Sequence, residues 1–482
     1  MPELRAYPDS NPETLDDLAQ IERLGREAQI DENWAYYDGH QRQPLKVRPN
    51  QSNDNVIINL TRRIVDQSVA MLFAEMPTFD LPGDSDAIQS WEERLRVLWE
   101  ANQGEVLLHD IGVAGALAGH VFVKVVPQEG NPKRPVRFVL QNPRYCSVFW
   151  KPDDMQQVVC YRIAWGRRIT REQARSGSLS LQQARDEYRQ DIINEGDYWR
   201  IREWTRGAQG NWSQVNEDIW RYPFAPIVDW QNLPHPERYY GDSDLAAGAL
   251  LDEDINLNDA VNFVASNINR ILKHHAHPKS LGFGVRPDQI IETAVDGFWG
   301  GLPVDARVEN LEMQSDLASS MAFLEFMERT FYAQHRAVDL SSVKDRVGQL
   351  TNFGLRTMFK DALDKLETKR TLYGNALSEL SWRAMQVAGW NQEPPTVAWP
   401  NPLPFNETEE VAVLTQEMAA QILSRQSAAE QRGRDWEREL KRMEEERDMD
   451  REGLGQVLAR AMRDFDRGEN TNTVDEDIQP DG

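Results

Sequence analysis

Two cysteines, Cys146 and Cys160, in 482 residues cannot build a disulfide framework. A chain this poor in cysteine fits folding in a reducing, intracellular compartment, so the sequons at Asn59, Asn211 and Asn406 read as chance matches. Cations are also scarce: 54 Lys and Arg stand against 78 Asp and Glu, a net charge of −24. That balance argues against ordinary tight nucleic-acid binding, which uses basic side chains to displace counterions from phosphates. It serves solubility equally well. No apolar run approaches membrane-spanning length, and the polar opening MPELRAYPDSNPET is not a signal peptide.

Catalytic motifs are missing as well. The chain has no G-x-x-x-x-G-K-[ST], no H-E-x-x-H and no G-x-S-x-G, so no Walker-type nucleotide site, zincin site or nucleophile elbow can be read. His274, His275 and His277 have metal-ligand chemistry, but they close a helical stretch without nearby carboxylates or thiols. A dipole-facing or subunit-contacting role suits them better. Asp242 with Asp244, and Asp252 with Asp254, offer carboxylates to Mg²⁺, yet capping and a solvated face explain them more simply. No enzyme activity, cofactor or metal is expected.

What is present begins with length and aromatics. The chain exceeds the usual limit for one core, so two or more modules are expected, and fifteen Trp with sixteen Phe supply core material. Residues 239–275 carry Leu245, Leu250, Leu257, Val261, Val264, Ile268 and Leu272 at helical spacing, with Asp242 or Ser243 as N-cap. About 30 helical residues would span about 45 Å. Acids in the first half and Arg270, Lys273 and His274 at the end suit the helix dipole. The middle is rich in amides, from Asn256 to Asn269, which implies a face turned to water or to another subunit. Residues 315–335 form a second periodic stretch, and residues 348–387 a third, after a polar loop.

Upstream, helices are expected over 14–31, from 55 to 72, over 90–102 and over 105–117. Strand alternation begins near His120: 121–125, 136–140, 145–150, 158–163, 198–204 and 218–222. The polar stretch 171–194 reads as helical and as an insertion. Residues 277–311 are Gly-rich, with strands over 279–285 and 306–310 and a short helix over 288–294. Proline keeps 394–404 extended, with a strand over 396–399; helix resumes over 406–425 from an Asn406 cap. Residues 1–12 and 469–482 are expected to be disordered.

This order, two long helices flanking a compact segment, then a loop, then a third helix, resembles the tailed-bacteriophage portal proteins. YPFAPIVDWQN (222–232) followed by GDSDLAAGALLDEDINLND (241–259) is similar to their "P-v-v-f-x-N … G-x-S-D-l … l-x-D-x-N" pattern. The charged stretch 431–446 is the second substantial likeness; weaker ones are Tyr36-Tyr37-Asp38-Gly39 after the first helix, the helix stop at Pro77 and Gln141-Asn142-Pro143.

The resemblance implies a predominantly helical α+β fold with wing, stem, clip and crown. It places the wing at 1–235, the first stem helix at 236–275, the clip at 276–314 and the second stem helix at 315–336. The tunnel loop follows at 337–347, a long helix at 348–393, an extended wing segment at 394–405, crown helices at 406–467 and an acidic tail at 468–482. It further implies a ring of twelve copies at one capsid vertex, through which double-stranded DNA is packaged and ejected without sticking to an acidic wall. The implied partners are a terminase motor, the major capsid and scaffolding proteins, and head-completion or tail connector proteins, with no membrane. The implied location is the virion, and the host cytoplasm during assembly. Lys344 and Arg346, with Ser341 and Ser342, would touch DNA in the tunnel loop, and Phe298 and Trp299 would anchor the subunit interface of the clip. Read without the resemblance, the loop is a solvent-exposed connection. The alternative function is a helical scaffolding or adaptor protein of a large viral assembly.

Overall fold

The computed structural model describes residues 12–47, 53–83, 85–128, 130–151, 153–166, 186–206, 211–246, 257–276, 280–283, 307–310, 317–339, 352–403 and 407–431, with a few positions up to 443. It divides into two units, Met1–Leu403 and Pro404–Gly482.

In the first unit, helix formation follows the apolar stripes. Helix α1 runs Pro12–Tyr37, longer than the expected 14–31, because Ile30 and Tyr36 keep its buried face going to the turn at Gly39. Helix α2, Leu60–Leu72, starts from Asn59, whose side chain accepts from the Arg62 N–H. It buries Leu60, Ile64, Val65, Val69 and Leu72 and turns Arg62 and Arg63 outward. Helices α3 (Asp86–Ala101) and α4 (Gly104–Ala118) follow. The chain leaves α4 at Gly119, where φ is +79° and a Cβ would come within 2.3 Å of the Gly241 carbonyl. Only glycine fits there.

The strands pair antiparallel throughout the described residues. Strand β1 (Thr78–Asp80) pairs with β12 (Thr396–Ala398), Phe79 opposite Val397. In a three-stranded sheet β2 (His120–Pro127) lies between β3 (Val136–Gln141) and β9 (Ile227–Gln231). A five-stranded meander joins β4 (Cys146–Lys151), β5 (Asp154–Gly166), β6 (Asp186–Asn194), β7 (Trp199–Arg206) and β8 (Trp212–Trp220). Strand β10 (Ser280–Phe283) pairs with β11 (Arg307–Asn310).

Helix α5 runs Leu257–Ala276 and α6 runs Leu317–Gln334. Helix α7, Asn352–Met358, precedes α8, Lys360–Val387. The core is centred on Trp99. Its ring stacks on Phe79 at 5.1 Å and lies 4.8 Å from Phe138, and its Nε1–H donates to Ser381 Oγ at 3.1 Å. From α8, Tyr373, Leu377, Leu380, Ala384 and Met385 enter the same cluster. In the second unit α9 (Glu407–Ala419) and α10 (Arg425–Gln431) are separate helices.

Five expectations are corrected. Residues 239–275 are not one helix: Asp242 bridges Leu233 and 244–246 form a turn, because the Asp244 side chain is drawn inward to buried partners. Residues 186–194 are strand, not helix; their polar residues form cross-strand pairs, with Asp191 bonded to Arg162 on β5 and to Arg189 beside it. The strand expected at 218–222 is β8, which ends at Trp220 ahead of Pro223. The long helix from 348 is interrupted at Phe359, whose φ of −89° and ψ of 3° leave the helical region, and its far end stops at Val387 before Gly389 at φ +76°. The helix expected over 406–425 breaks near Gln421, at φ 57°, and restarts where the Ser424 hydroxyl accepts from the Ser427 N–H. The expected helix at 288–294, the Asn406 cap, both terminal segments and most of 431–446 lie outside the described residues.

Candidate assembly surface and loop root

Helices α5 and α6 pack together through Val261, Met327, Phe331 and Tyr332, joined by Leu60 and Ile64 of α2. The paired strands β10 and β11 follow α5 and precede α6 in the chain. The amide-rich face of α5 is buried. Asn258, Asn262 and Ser266, at one-turn spacing, accept from the N–H groups of Leu60, Ile58 and Val56 at 3.2, 2.7 and 2.9 Å. Asn269 Nδ2 donates to the Asp54 carbonyl at 3.0 Å, and Gln41 Oε1 accepts from both Asn258 and Asn262. Residues 54–59 pair with no strand among the described residues, so α5 supplies side-chain acceptors to them and to the first N–H of α2. This corrects the expectation that the amides meet water or another subunit for Asn258 and Asn262; Asn269 is exposed, and Asn256 lies outside the described residues. Asp259, beside the row, accepts from Tyr36 OH at 2.8 Å.

Elsewhere on the two helices Phe263, Leu272, Met321, Phe323 and Phe326 are exposed, Phe326 at 62 %. Phe323 and Phe326 stack one turn apart, 6.4 Å between centroids. Leaving such side chains in water forgoes about 1.5–3 kcal/mol each, and Phe323 with Phe326 forms an exposed apolar pair on α6.

After α6 the chain enters a polar junction. Asp244, in the turn ahead of α5, is buried between Lys369 at 2.8 Å and Lys365 at 3.2 Å on α8. Lys369 also donates to Ser68 Oγ on α2, and Asn232 Nδ2 donates to Asp244 Oδ1. Tyr373 OH completes the set by donating to Asn232 Oδ1 at 2.9 Å. Burial alone would push the Asp244 carboxyl up, but the two ammoniums outweigh it and hold it well below the usual carboxylate range. Burial pulls Lys369 down to about 8 against the attraction of Asp244. Lys365 Nζ further donates to the His335 carbonyl at 3.2 Å.

A second buried carboxylate, Asp229 on β9, accepts from Tyr161 and Tyr239, each at 2.6 Å, and faces His120 Nε2 at 2.9 Å. Burial pulls His120 down, and its bond to Asp229 opposes this. A neutral ring with the proton on Nε2 fits that geometry. The group cross-links the two larger sheets.

Lys344, Arg346, Ser341 and Ser342 lie outside the described residues, and so do Phe298 and Trp299; the chain is described up to Asp339 and again from Asn352. Sequence reading missed Asp244, Lys365 and Lys369 as a group. The available signal was the two lysines four apart on the buried stripe of α8, a place lysine occupies only when paired. Among the described residues no cluster of His, Cys, Asp or Glu is arranged to hold a metal, and no helix is long and apolar enough to cross a membrane. Cys146 and Cys160 are both buried and free, and burial pushes each thiol up to about 12.

A family model described as phage portal protein, SPP1 Gp6-like, matches residues 23–453. Among solved structures, one titled "Neck of empty GTA particle computed with C6 symmetry" contains a similar chain. Its TM-score is 0.47 at 13% sequence identity, covering 78% of this chain and 90% of that one. No curated protein matches.

Proposed function

Because this chain belongs to the SPP1 Gp6-like phage portal protein family, we propose that it assembles into a closed ring of twelve copies at one capsid vertex. The ring passes double-stranded DNA inward during packaging and outward during ejection. It docks a terminase motor on one side and head-completion or tail connector proteins on the other, within a shell of major capsid protein built on scaffolding protein.

In this reading residues 1–235 with 394–405 form the wing, 236–275 and 315–336 the stem, 276–314 the clip, 337–347 the tunnel loop and 406–467 the crown. The observation that carries it is the α5–α6 pair, with a buried side packed on its own chain and an outer side bearing Phe263, Phe323 and Phe326. A monomer gains nothing from that outer side. Packed against the next copy, it closes a ring. Lys344 and Arg346 then meet phosphates as weak contacts repeated around the axis, while the overall −24 charge keeps DNA from sticking. Phe298 and Trp299 anchor the clip between neighbours.

Mass photometry and negative-stain images of the purified protein test the ring. Closed particles of about a dozen copies are expected; an elongated monomer or dimer would point to the adaptor function instead. Replacing Lys344 and Arg346 with Glu tests the loop. Packaging in a reconstituted system should fail at low salt and recover partly as salt rises, since exposed charges are screened over about 8 Å at physiological ionic strength. Wild-type packaging by intact mutant rings would remove those residues from the mechanism.

A further inference from the structure

We propose that Lys365 is a positioning residue whose ammonium sets where the chain leaves α6, and so the root from which the segment after Asp339 departs. The inference rests on the reading of 337–347 as the loop that meets DNA.

Charge counting is the starting point. Around Asp244 the described residues place two ammoniums against one carboxylate, all buried. Asp244 with Lys369 alone is already a neutral pair, further bonded to Ser68 and Asn232. A second buried cation adds desolvation cost that the shared carboxylate does not fully offset. Lys365 is therefore a second ammonium on a carboxylate that already has one.

What Lys365 adds is a directional bond to the His335 carbonyl. His335 lies one residue before Arg336, which holds φ at +51°. The end of α6 is closed there by the Arg336 N–H to Ala333 and the Ala337 N–H to Tyr332. Glycine is the usual occupant of such a left-handed position, and a side chain there persists only when its surroundings hold it. Two residues on, Val338 is gripped by both ends of the Gln67 amide: its N–H donates to Oε1 at 3.3 Å, and its carbonyl accepts from Nε2 at 3.2 Å. Residues 335–338 are thus tied to α8 through Lys365 and to α2 through Gln67. Between these ties lies a cavity of about 20 Å³ lined by Gln67, Ser68, His335, Arg336 and Lys365, room for one water. His335 and Val338 are buried here, and the hydrogen bonds add direction to that packing.

The test uses the full-length protein with Lys365→Met and Lys365→Arg, read by amide hydrogen exchange, thermal melting and packaging. Lys365→Met leaves the neutral Asp244–Lys369 pair and should melt at or above the wild-type temperature. Its Ala337 and Val338 amides should exchange about tenfold faster, with α8 and the sheets unchanged. Lys365→Arg, which keeps a donor and the charge, should restore protection. Unchanged exchange at 337 and 338 would overturn the proposal, and so would a loss of protection spread evenly through α8 and the sheets. If exchange rises at the root while packaging stays at the wild-type rate, Lys365 keeps its positioning role and the DNA-facing reading of the loop falls.

Discussion

Around Trp99 the chain buries rings: Phe79 stacks on the indole, Phe138 leans against it, and Tyr373, Leu377 and Met385 close the far side. Along α5 it buries amides instead, Asn258, Asn262 and Ser266, and leaves the rings of Phe263, Phe323 and Phe326 outside. The first region is finished as a monomer; its apolar surface is gone. The second has satisfied its polar groups internally and kept its apolar surface available. Hydrophobic burial is the larger driving force, so a helix pair that withholds it is stabilised by its own chain only in part. In the proposed ring the next copy would cover the exposed rings.

Mutations that separate the two regions sharpen the comparison. The largest effect is expected at Trp99→Ala. It empties a fully buried site and should cost about 3–5 kcal/mol in denaturant unfolding, enough to remove much of a domain's stability; a loss under 1 kcal/mol would mean the core is not centred there.

Acid comes next. Because the Asp244 carboxyl is held down in the folded protein, the unfolded chain takes up the proton first. Its contribution is complete above the unfolded value of about 3.9 and is lost progressively as pH falls below that value and through the lower folded one. Melting temperature should decline on acidification below that point, and Asp244→Asn should flatten that decline while lowering stability near neutrality. An unchanged acid limb would count against the ion group.

Asn262→Ala strips an acceptor from the Ile58 N–H and a partner from Gln41, at an expected cost of about 1–3 kcal/mol. Protection from exchange should fall at 56–60 before it falls in β2. Smallest is Phe323→Ser with Phe326→Ser: within about 0.5 kcal/mol on the monomer, yet with a marked loss of rings by mass photometry. Rings that form normally would detach the exposed pair from assembly.

Much of the architecture could be read in advance wherever one period ruled. Strand β2 is an apolar run buried on both faces, β3 alternates at its start, α2 carries its stripe, and β12 was visible between prolines. The failures share a cause. The polar strand β6 looked helical because its stability lies in partners on β5 and within its own row, Arg162 and Arg189 around Asp191. The amides of α5 looked solvent-facing because their acceptor role depends on residues 54–60, some 200 positions away in sequence. Of the six residues proposed for DNA and clip contacts none is described here, so their part in function rests on the family.

By itself the sequence determined the kind of protein this is: acidic, without the motifs of nucleotide or metal chemistry, carrying portal-like elements in portal-like order. Composition and periodicity are local properties, and local properties survive in one dimension. Only the tertiary structure decided that Asp244 sits in a turn inside the protein instead of capping a helix at its surface. Turned inward, it meets lysines about 120 residues later in the chain. A buried charge is tolerable only beside its counter-charge, and which counter-charge arrives is a fact about the fold.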